Sequence, residues 1–385
     1  ESGIVELFNY GRDRPGLIPL WVGEGDLRAP DCVIEAARRS LEQGETFYTH
    51  QRGLPELRAA IASYMTTHYG GPFADNARPF EAERFFVTIG GMHALQLAVR
   101  MTCGPGDEVL VPSPAWPNFD GVLRAAGAAP VAAPLVFDER GPGARWRLDL
   151  EDLAARLSPT TRAMIVNSPA NPTGWTASHD DLRALLALSR RHGLWIIADE
   201  IYGRFFYDGA RAPSFHDIIE PDDRVLFVQT FSKNWAMTGL RIGWLEAPPE
   251  LGQVVENLIQ FSTSGVAVPA QRAALAALRD GETFFAAQAA RARANRDALA
   301  EALLASGRAR LALPPGAFYL FCAVEGATDM RRLAFRMVEE AGVGVAPGSA
   351  FGPGGSAFMR LCFARDPAQI AEAGRRLANL LKTAL

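Results

Sequence analysis

The chain has 385 residues, 48% of them hydrophobic and 21% charged, enough for a large core and more than one domain. A formal net charge of −4 argues against a nucleic-acid binder, whose surface would be basic. No run reaches the roughly 18 apolar residues of a membrane span. The four cysteines (Cys32, Cys103, Cys322 and Cys362) are too scattered for a disulfide framework or a metal cluster, and the opening Glu1-Ser-Gly-Ile-Val-Glu6 lacks the basic-then-apolar form of a secretory leader, which points to a reducing, cytoplasmic setting.

The first segment reads as an extended arm, with Pro15, Pro19 and Pro30 among Gly16, Gly23 and Gly25. Pro30-Asp31 opens a predicted helix that runs to about Gly44. Pro55 opens another, with Leu57, Ala60, Ile61 and Tyr64 at helical spacing. From there strands and helices alternate. Strands are expected at 85–89, 108–111, 163–166, 195–198, 225–228 and 242–245, and helices at 90–101, 117–126 and 178–192. Strands apolar on both faces and separated by helices imply an α/β chain: a three-layer α/β/α large domain with a mostly parallel sheet covered on each side. The alanine-rich stretch 268–304 reads as helices leaving that layer. Strands at 318–322 and 359–363 and helices at 329–341 and 367–383 form a smaller α+β domain. The expected division is 1–44 (arm and part of the small domain), 45–284 (large, ligand-binding domain) and 285–385 (small domain). No internal repeat is apparent.

In parallel α/β sheets, ligands bind beyond the carboxyl ends of the strands, and the candidate residues fall at such ends. Thr230-Phe-Ser-Lys233-Asn-Trp-Ala-Met-Thr-Gly-Leu-Arg241 follows an apolar strand. Lys233 has apolar flanks, so an uncompensated ammonium there would be expensive. A Schiff base with an aldehyde cofactor relieves this and supplies a catalytic amine; a lysine paired with a carboxylate is the other reading. Thr230, Ser232 and Arg241 suit a phosphate. The turn Gly90-Gly91-Met92 offers backbone N–H groups to the same anion, or is only a tight turn. Asp199 can pair with a protonated pyridine nitrogen, or cap nearby N–H groups. Tyr202 and Asn171 can reach a phenolate oxygen, or be a core aromatic and a loop turn. Trp116 can stack on a ring. Arg360, mid-strand in an apolar run, can grip a carboxylate at two points or form an internal salt bridge. The six histidines show no metal-ligand spacing, His93 reads as a helix residue near the pocket rim, and Gly-x-Ser-x-Gly is missing.

Taken together, these segments resemble the fold-type I pyridoxal-phosphate enzymes of the class I/II aminotransferase group (aspartate aminotransferase-like), from Gly23-Glu-Gly-Asp26 to Arg360-Leu-Cys-Phe-Ala364. The resemblance implies pyridoxal 5'-phosphate held as a Lys233 aldimine, with Lys233 also shuttling the α-proton. It implies Asp199 at the pyridine nitrogen, Tyr202 and Asn171 at the phenolate oxygen, and Trp116 over the ring. Backbone at Gly91 and Met92 would hold the phosphate with Thr230, Ser232 and Arg241. Arg360 would bind the substrate carboxylate with Asn171, Trp116 and the backbone near Gly23. Tyr48, in Phe47-Tyr-Thr-His-Gln-Arg-Gly53, resembles the tyrosine that reaches the neighbouring subunit's phosphate, which implies a homodimer with active sites at the interface.

One departure bears on specificity. Acidic-substrate relatives often carry a lysine where Met92 stands, so the expected donor is an apolar or aromatic L-amino acid rather than aspartate. A 2-oxo acid such as 2-oxoglutarate is the expected acceptor. Arg12, Arg14 and Arg52 remain candidates for a positive charge near the mouth. The competing readings are a cysteine or cystathionine β-lyase and a non-catalytic pyridoxal-phosphate-binding regulator. A regulator would carry a DNA-binding module, and none fits before residue 23 or after 364.

Overall fold

A computed structural model describes residues 3–140 and 143–383; the outermost limits of the expected segments, residues 1 and 385, lie outside the described residues. A seven-stranded sheet runs in the order Phe85–Thr88, Gly243–Glu246, Val225–Thr230, Trp195–Asp199, Thr161–Asn167, Glu108–Ser113, Ala129–Pro134. Gly243–Glu246 is antiparallel to both neighbours, and every other pairing is parallel. Successive side chains leave opposite faces of a strand. Accordingly Met164, Val166, Ile196 and Ala198 pack into one core with Leu182 and Leu185 of the helix His179–His192. Ala163, Ile165 and Ile197 pack into another with Leu95 and Ala98 of the helix Gly90–Thr102. That division makes the three layers.

Local signals explain where elements begin and end. The helix His179–His192 starts at a capping box in which Ser178 Oγ accepts from the Asp181 backbone N–H and Asp181 accepts from the Ser178 N–H; it stops at Gly193 in the left-handed region. The stretch 268–304 is two helices, Val268–Asp280 and Glu282–Leu304, parted at Gly281, where a Cβ would strike Ala277 O and the Trp235 ring.

A second sheet is wholly antiparallel, in the order Ala309–Leu311, Tyr319–Val324, Phe358–Cys362, Ala346–Pro347. The helices Met330–Glu340 and Pro367–Thr383 accompany it, and the arm joins them as Ile18–Pro19 pairs in parallel with Val343–Gly344. No helix among the described residues is long and apolar enough to cross a membrane.

Several elements depart from the expectation, including the helices Leu150–Ala155 and Gly252–Ser262. The chain begins with a helix, Gly3–Gly11, ahead of the extended arm; it buries Leu7, and Phe8 sets its edge against Trp21 at 5.7 Å. Ala129–Pro134 is a parallel edge strand, although alanine and proline are poor strand formers. A hairpin of Val136–Asp138 with Arg145–Arg147 follows it.

Candidate active site

The parallel strands deliver their carboxyl ends to one edge of the large sheet. Asn167 and Asp199 are directly paired there, and Asp199 pairs onward with Val228, two residues before Thr230. Asp199 is 2% exposed, and its carboxylate accepts from the Ile201 N–H at a long 3.4 Å. Burial pushes its carboxyl up to about 7, because a charge there loses its water and gains little in return.

Lys233 lies in the short helix Phe231–Asn234 that follows the Val225–Thr230 strand. Its Nζ donates to Gly23 O at 2.9 Å, not to a carboxylate. Burial pulls the amine down to about 8. The helix is held from behind by Gln288, whose Nε2 donates to the carbonyls of Lys233 and Asn234, each at 3.1 Å. The sequence has only one other lysine, Lys382, which is exposed near the end of the last helix.

Small residues and hydroxyls converge beside it. A Cβ on Gly91 would touch Thr230, and one on Gly90 would strike the Arg241 guanidinium. Thr230 Oγ1 donates to Ser232 Oγ at 2.9 Å and accepts from the Ser232 N–H. Arg241 has φ +49°, an unfavourable conformation for a residue with a side chain, and its Nη1 donates to Thr238 O at 2.6 Å. No carboxylate pairs with it among the described residues. The cluster therefore has a cation, two hydroxyls and the open start of the helix Gly90–Thr102, which together suit a phosphate.

Arg360 is 3% exposed. Its Nη1 donates to Asn171 Oδ1 at 3.0 Å and its Nη2 to Trp21 O, while its Nε finds no partner. The internal salt bridge weighed from sequence is not there: no carboxylate among the described residues pairs with Arg360. A buried guanidinium with an unmet N–H is poised for an incoming carboxylate. Tyr202 is buried, and its hydroxyl lies 2.7 Å from that of Tyr319. Burial raises both phenols well above their ordinary value, so both are protonated at neutral pH.

The remaining expected residues are placed as follows. Trp116 is half-buried and stands edge-on to Phe119 at 5.6 Å. Met92 sits beside Asn118, whose Nδ2 lies 3.5 Å from the sulfur. Tyr48 is 94% exposed, and its own chain does not bring it to the other site residues. His93 is buried rather than at a rim: Nδ1 accepts from Ile89 N–H, Nε2 meets Ser262 Oγ at 3.0 Å, and burial lowers it to about 4. Sequence reasoning passed over Tyr319 and Gln288. The scarcity of lysine was a signal in plain view for Lys233.

The profile of the family "Aminotransferase class I and II" matches residues 15–377. The chain belongs to that family. It is 32% identical to aromatic-amino-acid aminotransferase 2 of Thermococcus litoralis over 99% of this chain and 96% of that one. It is 35% identical to the aspartate/prephenate aminotransferase of Thermus thermophilus over 98% of this chain and 93% of that one. The crystal structure of aspartate aminotransferase from Thermotoga maritima superposes with a TM-score of 0.90 at 31% identity, covering 100% of this chain and 98% of that one.

This aminotransferase is a pyridoxal-phosphate enzyme that moves amino groups between amino acids and 2-oxo acids. The chain's own chemistry fits the cofactor. The uncompensated Asp199 calls for a cation, as a protonated pyridine is. The Arg241 cluster calls for an anion, and the depressed Lys233 amine is ready to condense with an aldehyde.

Proposed function

We propose that this aminotransferase takes its amino group from an L-amino acid with an apolar or aromatic side chain in preference to aspartate, and gives it to a 2-oxo acid such as 2-oxoglutarate. The observation that carries the reading is Met92, a flexible thioether that, like Trp116, packs against the core containing Leu95 and Phe119. Of the arginines expected near the mouth, Arg12 pairs with Asp13 at 3.5 Å and Arg52 with Glu256 at 2.9 Å, while Arg14 lies over the Tyr10 ring. The relatives carry names for both aromatic and aspartate activities, so the choice rests on this chain's own residues.

In this reading Arg360 and Asn171 hold the substrate carboxylate, with Trp116 and the Gly23 backbone beside it. Fixing the carboxylate orients the Cα–H bond for cleavage. Lys233 Nζ takes that proton and later returns it. When bound, pyridoxal phosphate supplies the electron-poor ring that accommodates the electron pair left behind. Asp199 would pair as a carboxylate with the ring nitrogen, Tyr202 and Asn171 would donate to the ring oxygen, and Trp116 would stack on the ring. Thr230, Ser232, Arg241 and the backbone at Gly91 and Met92 hold the phosphate.

We further infer a homodimer in which Tyr48 completes the partner's phosphate site. Phe47 and Tyr48 expose two aromatic rings beside a pocket they line with Thr46, Thr49 and residues 263–267, rings suited to cover by a second copy. The proposed division at 44/45 and 284/285 keeps the seven-stranded sheet in 45–284 and the four-stranded sheet in 285–385, while the second boundary falls just inside the helix Glu282–Leu304 and Val33 of 1–44 packs into the large domain's core. Four free thiols agree with a reducing, cytoplasmic location.

The test is a half-reaction. Single amino acids are added to the cofactor-loaded enzyme without a 2-oxo acid, and the keto product is counted. One equivalent from phenylalanine at a rate well above that from aspartate is expected. A faster reaction with aspartate would refute the preference, and continuous release of keto acid with ammonia would move the chemistry to elimination.

A further inference from the structure

Tyr319 lies in the strand Tyr319–Val324, with 0% exposure. Phe321 stands opposite Arg360 in the antiparallel pairing, and Tyr319 is two residues along. Tyr319 therefore shares a sheet face with Arg360 as its diagonal neighbour. Its ring centre is 4.8 Å from the guanidinium carbon, and the Phe351 ring is 4.9 Å from the same carbon. A guanidinium over aromatic rings is held more firmly when water is excluded. At the far end of the ring, the Tyr319 hydroxyl lies 2.7 Å from that of Tyr202, beyond the carboxyl end of the large sheet. The same hydroxyl occupies the space a side chain at Gly23 would need, and the Gly23 carbonyl holds Lys233 Nζ. One side chain thus bridges the two sheets and touches the surroundings of Arg360, Tyr202 and Lys233.

From these contacts we propose that Tyr319 is a positioning residue that couples carboxylate binding at Arg360 to the cofactor's ring oxygen through Tyr202. The inference rests on the roles assigned above to Arg360 and Tyr202. With the Tyr202 hydrogen directed at the ring oxygen, Tyr319 is the donor and Tyr202 the acceptor of the 2.7 Å bond. That donation polarises the Tyr202 O–H and strengthens its own bond. A carboxylate that arrives at Arg360 shifts the guanidinium and the ring stacked on it. The hydroxyl moves with the ring, so the Tyr202 bond registers whether the substrate's carboxylate is seated.

The probe is 3-phenylpropanoate, a carboxylate with no amine to react. It is titrated into the cofactor-loaded wild type and into Tyr319→Phe, Tyr319→Leu and Arg360→Ala at one pH. Calorimetry measures occupancy, and visible absorbance reports the cofactor independently. Tyr319→Phe keeps the ring, so it is expected to bind within about twofold of wild type while losing most of the absorbance change that binding causes. Tyr319→Leu loses the ring and is expected to bind about tenfold more weakly. A full absorbance change in Tyr319→Phe overturns the coupling, as does wild-type binding in Tyr319→Leu. Should Tyr319→Leu fail to fold, the near-isosteric Tyr319→Phe decides alone. Arg360→Ala separates the two layers of the argument. Undiminished binding there removes the carboxylate site itself, whereas lost binding there with wild-type behaviour of both Tyr319 variants removes only the coupling.

Discussion

Replacing Asp199 by asparagine should stabilise the cofactor-free protein and weaken its hold on the cofactor. The carboxyl sits at about 7 against an ordinary 3.8, with desolvation as the leading cause. At about 1.4 kcal/mol per tenfold, its charged form is disfavoured by about 4 kcal/mol in the folded, cofactor-free chain. The sign follows from proton linkage. Between the two values the unfolded chain has released the proton and the folded chain has kept it, so stability falls as pH rises from about 4 to about 7 and is flat above. An asparagine side chain carries no such charge and keeps an oxygen for the Ile201 N–H. Urea titrations of cofactor-free wild type and Asp199→Asn, at matched protein concentration, should therefore agree near pH 4 and separate by up to about 4 kcal/mol near pH 8, the variant being the more stable. With pyridoxal phosphate bound, the order should reverse, because only the carboxylate can pair with a protonated ring nitrogen. Parallel pH profiles for the two cofactor-free proteins would refute the burial argument.

Other outcomes follow from the same geometry. Arg360→Ala should raise KM for amino acids roughly 30-fold or more, the effect of removing one partner from a buried charge pair worth about 2–5 kcal/mol; steady-state kinetics with unchanged KM would reject the carboxylate role. Borohydride reduction of the loaded enzyme should fix the cofactor to Lys233 and leave Lys382 unmodified, as read by peptide mass; Lys233→Ala should show no adduct. Capture of added pyridoxal phosphate by cofactor-free enzyme needs the neutral amine, so its rate should rise through about pH 8 and then level, and a rate still climbing toward the ordinary lysine range would contradict the depressed Lys233. Met92→Lys should raise kcat/KM for aspartate relative to phenylalanine by about tenfold, measured in competition.

Much of the large sheet was legible because its strands are apolar on both faces and its helices carry strong punctuation, such as Ser178 with Asp181 and Gly193. The site's residues were legible for the same reason that they are costly. An arginine inside the apolar strand 358–362, a carboxylate ending the strand 195–199 and a lysine just after the strand 225–230 contradict the local pattern, and such contradictions mark function. What could not be read depended on pairing. Ala129–Pro134 is a strand because Glu108–Ser113 offers it an edge, not because its residues prefer one. Tyr319 looked like one more aromatic in an apolar strand, and only its register against Arg360 gives its hydroxyl a purpose. His93 follows Gly90-Gly91-Met92, which places it at a rim by sequence, yet the helical turn carries it inward to the Ile89 N–H and Ser262.

The three buried charges share one property that links stability to chemistry. Lys233 has a carbonyl acceptor, Asp199 a long N–H donor, and Arg360 two acceptors and an unmade Nε. Each is left incomplete by the chain and completed by a different part of cofactor or substrate: aldehyde, ring nitrogen, carboxylate. Apolar residues at these positions would make a more stable empty protein, since a buried charge without a full set of partners is unfavourable. The fold holds the groups on separate supports, the end of the strand Trp195–Asp199, the helix Phe231–Asn234 and the strand Phe358–Cys362, and Lys233 hydrogen-bonds to the Gly23 carbonyl rather than to Asp199. An Asp199–Lys233 ion pair would quiet both groups and leave neither free to act. Binding energy from cofactor and substrate is therefore directed to the atoms where the reaction takes place.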